Sequence, residues 1–129
     1  MARILLVEDE PDNLELLTRL LTRKGHDIIS AENAADAVTL AIKEVPELIL
    51  MDLQLPTDAN SPTDPNAGLD ATRLIKADTA TKDVPVIALT AHTMADHRKR
   101  ISEAGCDDFQ EKPIYPFTNL LDKIDKFTG

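Results

Sequence analysis

The sequence predicts an α/β domain, a doubly wound, five-stranded parallel sheet with helices on both faces. Strand-like runs and helical periodicities alternate five times along the 129 residues, so the connections between strands are helical crossovers and the strands run parallel. Leu48 to Met51 are four consecutive apolar residues, the pattern of a strand buried on both faces, and they lead straight into Asp52. Two more runs stop in the same way, Ile4 to Val7 before Glu8 and Asp9, and Val86 to Leu89 before Thr90. In an open parallel sheet all strand carboxyl ends lie on one edge, and ligands bind in the crevice there. Glu8, Asp9, Asp52 and Thr90 are therefore expected to share one site.

Arg3 to Val7 form the first strand. Pro11 follows where a first helical turn tolerates it; Leu14, Leu17, Leu20 and Leu21 make an apolar face, and Gly25 is the stop. Asp27 to Ala31 read as a short second strand. Asn33 is the expected cap of the next helix, with Asp36 in its first turn and Val38, Ala41, Ile42 and Val45 at helical spacing before Pro46. After the strand that ends at Asp52, the fifteen residues from Leu53 to Ala67 show no periodicity and include Pro56, Pro62 and Pro65. Gly68 opens a short helix through Leu69, Thr72 and Ile75, and Pro85 to Thr90 form the fourth strand. A helix from about Met94 to Ala104 is poor in large apolar residues and ends at Gly105. The fifth strand, Asp107 to Glu111, is mostly polar, as an edge strand can be. Phe117, Leu120, Leu121, Ile124 and Phe127 share one face of the last helix.

The length suits one domain, and no repeat or linker divides it. The apolar runs fall far short of a membrane span, and the first meets Glu8 and Asp9 too early to be the core of a signal peptide. A lone Cys106 allows no internal disulfide and fits a reducing compartment, so the expected location is the cytoplasm. The net charge of -9 opposes non-specific attraction to nucleic acid or anionic membrane, leaving proteins and cations as the expected partners.

Three carboxylates at one edge repel, each pair by on the order of 4 kcal/mol at 4 Å and an effective dielectric near 20. Either a carboxyl stays protonated or a divalent cation sits among them; an all-oxygen site with an open face suits magnesium, and the cation is the better account. Lys112, at the end of the fifth strand, adds an ammonium to the same edge. Together these groups make a site for a phosphoryl group: Asp52 attacks, the cation and Lys112 offset charge, and Thr90 hydrogen-bonds an oxygen.

Val7-Glu-Asp9, Leu50-Met-Asp-Leu-Gln-Leu-Pro56, Ala88-Leu-Thr-Ala91 and Glu111-Lys-Pro113 resemble, in order, the signatures of the response regulator receiver domain of two-component signalling. The resemblance spans essentially the whole chain. It implies a flavodoxin-like (βα)5 fold of strand order 2-1-3-4-5, one receiver domain over residues 1–129, and no output domain. It makes Asp52 the acceptor of a phosphoryl group from a sensor histidine kinase or histidine phosphotransfer protein. Asp9, Asp52 and the Gln54 backbone carbonyl would hold magnesium, or manganese in its place, with Glu8 acting through water. Thr90 and Lys112 would bind the phosphoryl group, Thr90 and Phe109 would be the switch pair, and Gln54 and His92 would tune dephosphorylation. Pro113 would follow a cis bond. A downstream protein would read the change in the face formed by the fourth helix, fifth strand and last helix.

The chain departs from the family pattern at Thr57 to Asn66, an enlargement beside Asp52 whose solvated composition is that of a surface insertion. Its position also suits shielding an aspartyl phosphate from water or selecting a partner. Tyr115 replaces the Asp or Asn that often caps the last helix. His97 to Arg100 read as a solvated helix face. Two other functions share the residue set, an aspartate-nucleophile phosphatase and a receiver-like docking module that is never phosphorylated. Such phosphatases usually carry an acid two residues after the nucleophile, where Gln54 stands, and the complete acceptor set argues against docking alone.

Overall fold

The structure is a computed structural model that describes residues 2–91 and 94–128. The elements follow in the order β1 (Arg3–Val7), α1 (Pro11–Arg23), β2 (Asp27–Ala31), α2 (Ala34–Glu44), β3 (Leu48–Asp52), β4 (Leu55–Pro56), β5 (Thr63–Asp64), α3 (Ala67–Ala77), β6 (Val86–Thr90), α4 (Ala95–Glu103), β7 (Asp108–Glu111) and α5 (Phe117–Thr128). The main sheet has the order β2-β1-β3-β6-β7 and is parallel throughout. Counting its own strands alone, this is the expected 2-1-3-4-5. β4 and β5 stand apart as an antiparallel pair inside the enlarged segment.

Strand periodicity divides the interior in two. Leu5, Val7, Ile49, Met51, Val86 and Ala88 face a core closed by α2, α3 and α4. Their neighbours Ile4, Leu6, Leu48, Leu50, Ile87 and Leu89 face a second core closed by α1 and α5, through Leu17, Leu21, Leu120 and Ile124. β3 and β6, which like β1 supply both sides, are buried along their whole length. This is why they read as unbroken apolar runs.

Helix ends follow local chemistry. The Glu10 carboxylate accepts from the Asp12 and Asn13 amides at the start of α1, with Pro11 at its first position. Asn33 Oδ1 accepts from the Asp36 amide at 2.8 Å to cap α2. One expectation for α2 needs correction. It buries Ala34, Ala37 and Ala41, whereas Ile42 and Val45 are exposed. α2 packs beside α3 as well as the sheet, and small residues let the helices approach where larger side chains would hold them apart. Val45, just past the helix end, has a φ of 42°, a left-handed conformation that is strained for a β-branched residue.

Candidate functional site

Parallel register delivers the polar residues to one place. Val7 pairs with Met51, Asp52 with Leu89, and Thr90 with Glu111, so Glu8, Asp52, Thr90 and Lys112 emerge together at the carboxyl edge. Backbone bonds just beyond the strands fix them: the Glu8 amide donates to the Ala31 carbonyl at 3.0 Å, and the Lys112 amide to the Thr90 carbonyl at 2.8 Å. Behind Asp52, α3 begins against the end of β3. A Cβ on Gly68 would collide with the Asp52 carbonyl oxygen and lie 2.5 Å from Leu53 Cα, so only glycine allows that approach.

Lys112 Nζ donates to Asp52 Oδ2 at 3.0 Å and to Glu8 Oε1 at 3.2 Å. Glu8 Oε2 accepts from the Asp9 amide at 3.1 Å and the Glu10 amide at 3.4 Å. Asp52 Oδ1 accepts from the Gln54 amide at 3.2 Å. Glu8 and Asp52 are almost wholly enclosed, 1% and 5% exposed, while Asp9 is half-buried. Glu8, Asp9 and Asp52 can each offer an oxygen such that all three lie within 4.8 Å of one another.

This arrangement holds more negative charge than one ammonium balances. Burial and the adjacent Glu8 carboxylate push Asp52 up to about 7. Burial acts on Glu8 in the same direction, but its bonds to Asp52 and Lys112 outweigh it, and Glu8 lies below the usual carboxylate range. The Glu8–Asp52 pair thus resists carrying two negative charges at once, and Asp52 is the member pushed up. Burial and Glu8 also raise Asp9. For Lys112, burial favours the neutral amine, yet the Asp52 and Glu8 charges prevail and raise it above the ordinary lysine value.

The site opens into a cleft of about 900 Å³ that Asp9, Asp52, Gln54, Thr90 and Lys112 all line. Its other wall is apolar, with Leu16, Leu17 and Leu20 of α1 facing Ile114 and Phe117. The peptide bond before Pro113 is cis, as expected, and so is the one before Pro116. Phe109 lies elsewhere. Its half-buried ring sits on the α4–β7–α5 face, with the Arg98 guanidinium 5.5 Å and the Lys123 ammonium 5.6 Å from its centroid. His92 falls outside the described residues.

Sequence reasoning missed two residues. His97, read as part of a solvated face, is half-buried, and its Nε2 is hydrogen-bonded to Thr90 Oγ1 at 3.1 Å. No spacing rule points to that pair, because it joins a strand end to a helix face. Two neighbours on the same helix also have partners: Arg98 stands over Phe109 and Arg100 donates to Asn66 Oδ1. Thr63, read as loop, pairs with Pro56 in the β4–β5 hairpin and lines the cleft. Two-residue strands are too short to show an alternating pattern.

The chain matches the family described as the response regulator receiver domain over residues 4–125. It is 36% identical over 126 residues to the polar-differentiation response regulator DivK of Brucella anthropi, covering 98% of this chain and 95% of that one. Among solved structures it resembles the receiver domain of the sensor histidine kinase PA1611 from Pseudomonas aeruginosa PAO1. The TM-score is 0.84 at 31% identity, over 99% of this chain and 98% of that one, and that structure has a magnesium ion coordinated in its active site cleft. The chemotaxis protein CheY4 of Vibrio cholerae shares the fold with a TM-score of 0.84 at 21% identity, over 98% of each chain.

Proposed function

Because the chain belongs to the response regulator receiver domain family of two-component signalling, we propose that it works by accepting a phosphoryl group on Asp52. The donor is a phosphohistidine on a sensor kinase or phosphotransfer protein in the cytoplasm, and the reader is a downstream protein. The observation that carries this reading is the Lys112 ammonium seated on Asp52 and Glu8 in the cleft, with Asp9 beside them.

The residues present fit magnesium. Three carboxylates converge, the donors are all oxygen, and their mutual repulsion pushes Asp52 up, as a cluster suited to a cation would. Asp9, Asp52 and the Gln54 carbonyl would hold the cation, with Glu8 reaching it through water. A bound divalent cation supplies charge that keeps Asp52 ionised and offsets the phosphoryl oxygens.

In the transfer, an Asp52 oxygen forms a bond to phosphorus as the phosphorus–nitrogen bond of the donor breaks, and the imidazole leaves with its electron pair and takes a proton. Lys112 is already hydrogen-bonded to the attacking carboxylate and offsets charge on the phosphoryl group. The Thr90 hydroxyl, on the neighbouring strand, donates to a phosphoryl oxygen, and its movement is passed to Phe109 and the α4–β7–α5 face. The exposed Gln54 amide, two residues beyond the nucleophile, is not an acid, which favours an acceptor over a phosphatase that turns over added esters.

Incubation with acetyl phosphate and magnesium, followed by intact mass, tests the proposal. The expected result is one added phosphoryl group that requires the cation and is absent in Asp52→Asn. A phosphorylated Asp52→Asn protein would overturn it.

A further inference from the structure

Thr90 is 3% exposed and reaches the same cleft as Asp52 and Lys112. A hydroxyl so deeply placed has to be hydrogen-bonded, and its oxygen lies 3.1 Å from His97 Nε2 on the first turns of α4. Whichever group carries the bonding proton, the contact holds the Thr90 oxygen to the α4 side. α4 itself is thinly anchored, with Ile101 its buried residue. In its first two turns Arg98 stands over Phe109 and Arg100 donates to Asn66 Oδ1, while Ala95, Asp96 and Lys99 are exposed. The Thr90–His97 bond is therefore part of what fixes this end of α4 to the sheet.

We propose that His97 is a positioning residue that holds Thr90 toward α4 until phosphoryl oxygens on Asp52 compete for the same hydroxyl. This inference rests on Thr90 being the hydroxyl that binds the phosphoryl group. With Thr90 as the donor to His97 Nε2, its one proton serves one acceptor at a time, so engagement at Asp52 means release at His97. The first turn of α4 then loses its tie to β6. In the resting state the same bond works against activation, and the His97–Thr90 pair sets how much phosphoryl-like ligand is needed to switch the domain.

The test is a beryllium fluoride titration with magnesium, followed by amide and histidine ring resonances in the parent, His97→Ala, Thr90→Val, Thr90→Ser and the two double variants. Removing a net hydrogen bond from the resting state tightens binding roughly five-fold in His97→Ala. The gain is expected again in the Thr90→Ser background, which keeps a hydroxyl, and is expected to vanish in Thr90→Val. In the parent the His97 ring signals move as the mimic saturates, and in Thr90→Val that movement is lost. An unchanged or weaker affinity in His97→Ala overturns the inference, as does an equal gain with and without the hydroxyl. A parent that fails to bind the mimic at all would instead overturn the acceptor reading beneath it.

Discussion

Asp52 sits where two demands conflict. A nucleophile has to be ionised, yet burial and Glu8 push its carboxyl up to about 7. The unfolded chain releases this proton near the ordinary value of 3.8, while the folded protein keeps it until about 7. The stability this group contributes is thus fully present below the lower value and is lost as pH rises through the upper one. Asp52→Asn, which cannot ionise, is expected to be the more stable protein at pH 8 without divalent cations, by on the order of 2–4 kcal/mol. The difference shrinks toward zero near pH 4, and denaturant melts across that range measure it. Magnesium at pH 8 narrows the gap by stabilising the parent alone. Asp9, Asp52, Thr90 and Lys112 could be found in the sequence because each ends or follows a strand, where chain order and sheet geometry fix position together. His97 could not, since its contact joins a helix position to a strand end and no pattern in the residues links the two.

Elements bear on the site through their ends. The first turn of α3 holds Gly68, whose amide donates to the Leu53 carbonyl at 3.1 Å and whose bare Cα lies against the end of β3. Gly68→Ala forces backbone apart at Asp52 and is expected to cost about 2–3 kcal/mol in a thermal melt. It should also slow phosphorylation by acetyl phosphate, because it displaces the acceptor's own peptide. The β4–β5 hairpin acts from the other side. Its tip is tied locally, with Asp58 Oδ1 accepting from the Asn60 amide at 2.9 Å and the Ser61 hydroxyl at 2.8 Å. The Ala35 amide donates to Thr57 O at 2.9 Å and so anchors one arm to α2. Replacing residues 57–64 by a short turn is expected to preserve the fold and shorten the lifetime of the phosphoryl group, followed by the decay of the added mass. An unchanged lifetime would leave the hairpin without a shielding role. The strands and helices of the main sheet could be read from periodicity, whereas α2 misled because its alanines, which look neutral in sequence, are what the packing uses.

For the molecule as a whole, the doubly wound layout was the most legible feature, since runs buried on both faces and helices of one apolar face leave few other arrangements. The net charge of -9 acts at this scale too. Like charges spread over a small surface repel, so raising ionic strength from low to physiological is expected to lift the melting temperature by a few degrees, more at pH 8 than at pH 5. Flat melting temperatures across salt at both pH values would show that local pairs such as Lys112 with Asp52 and Glu8 already absorb the repulsion. The closure of the enlarged segment at its base, by the bond from Gly68 to Leu53, has a use in protein engineering. A graft at the hairpin tip, between Thr57 and Thr63, lies outside that closure and is expected to leave it in place. A fluorophore-bearing or peptide-binding graft there would sit beside Asp52 and turn the domain into an optical reporter of its own chemical state.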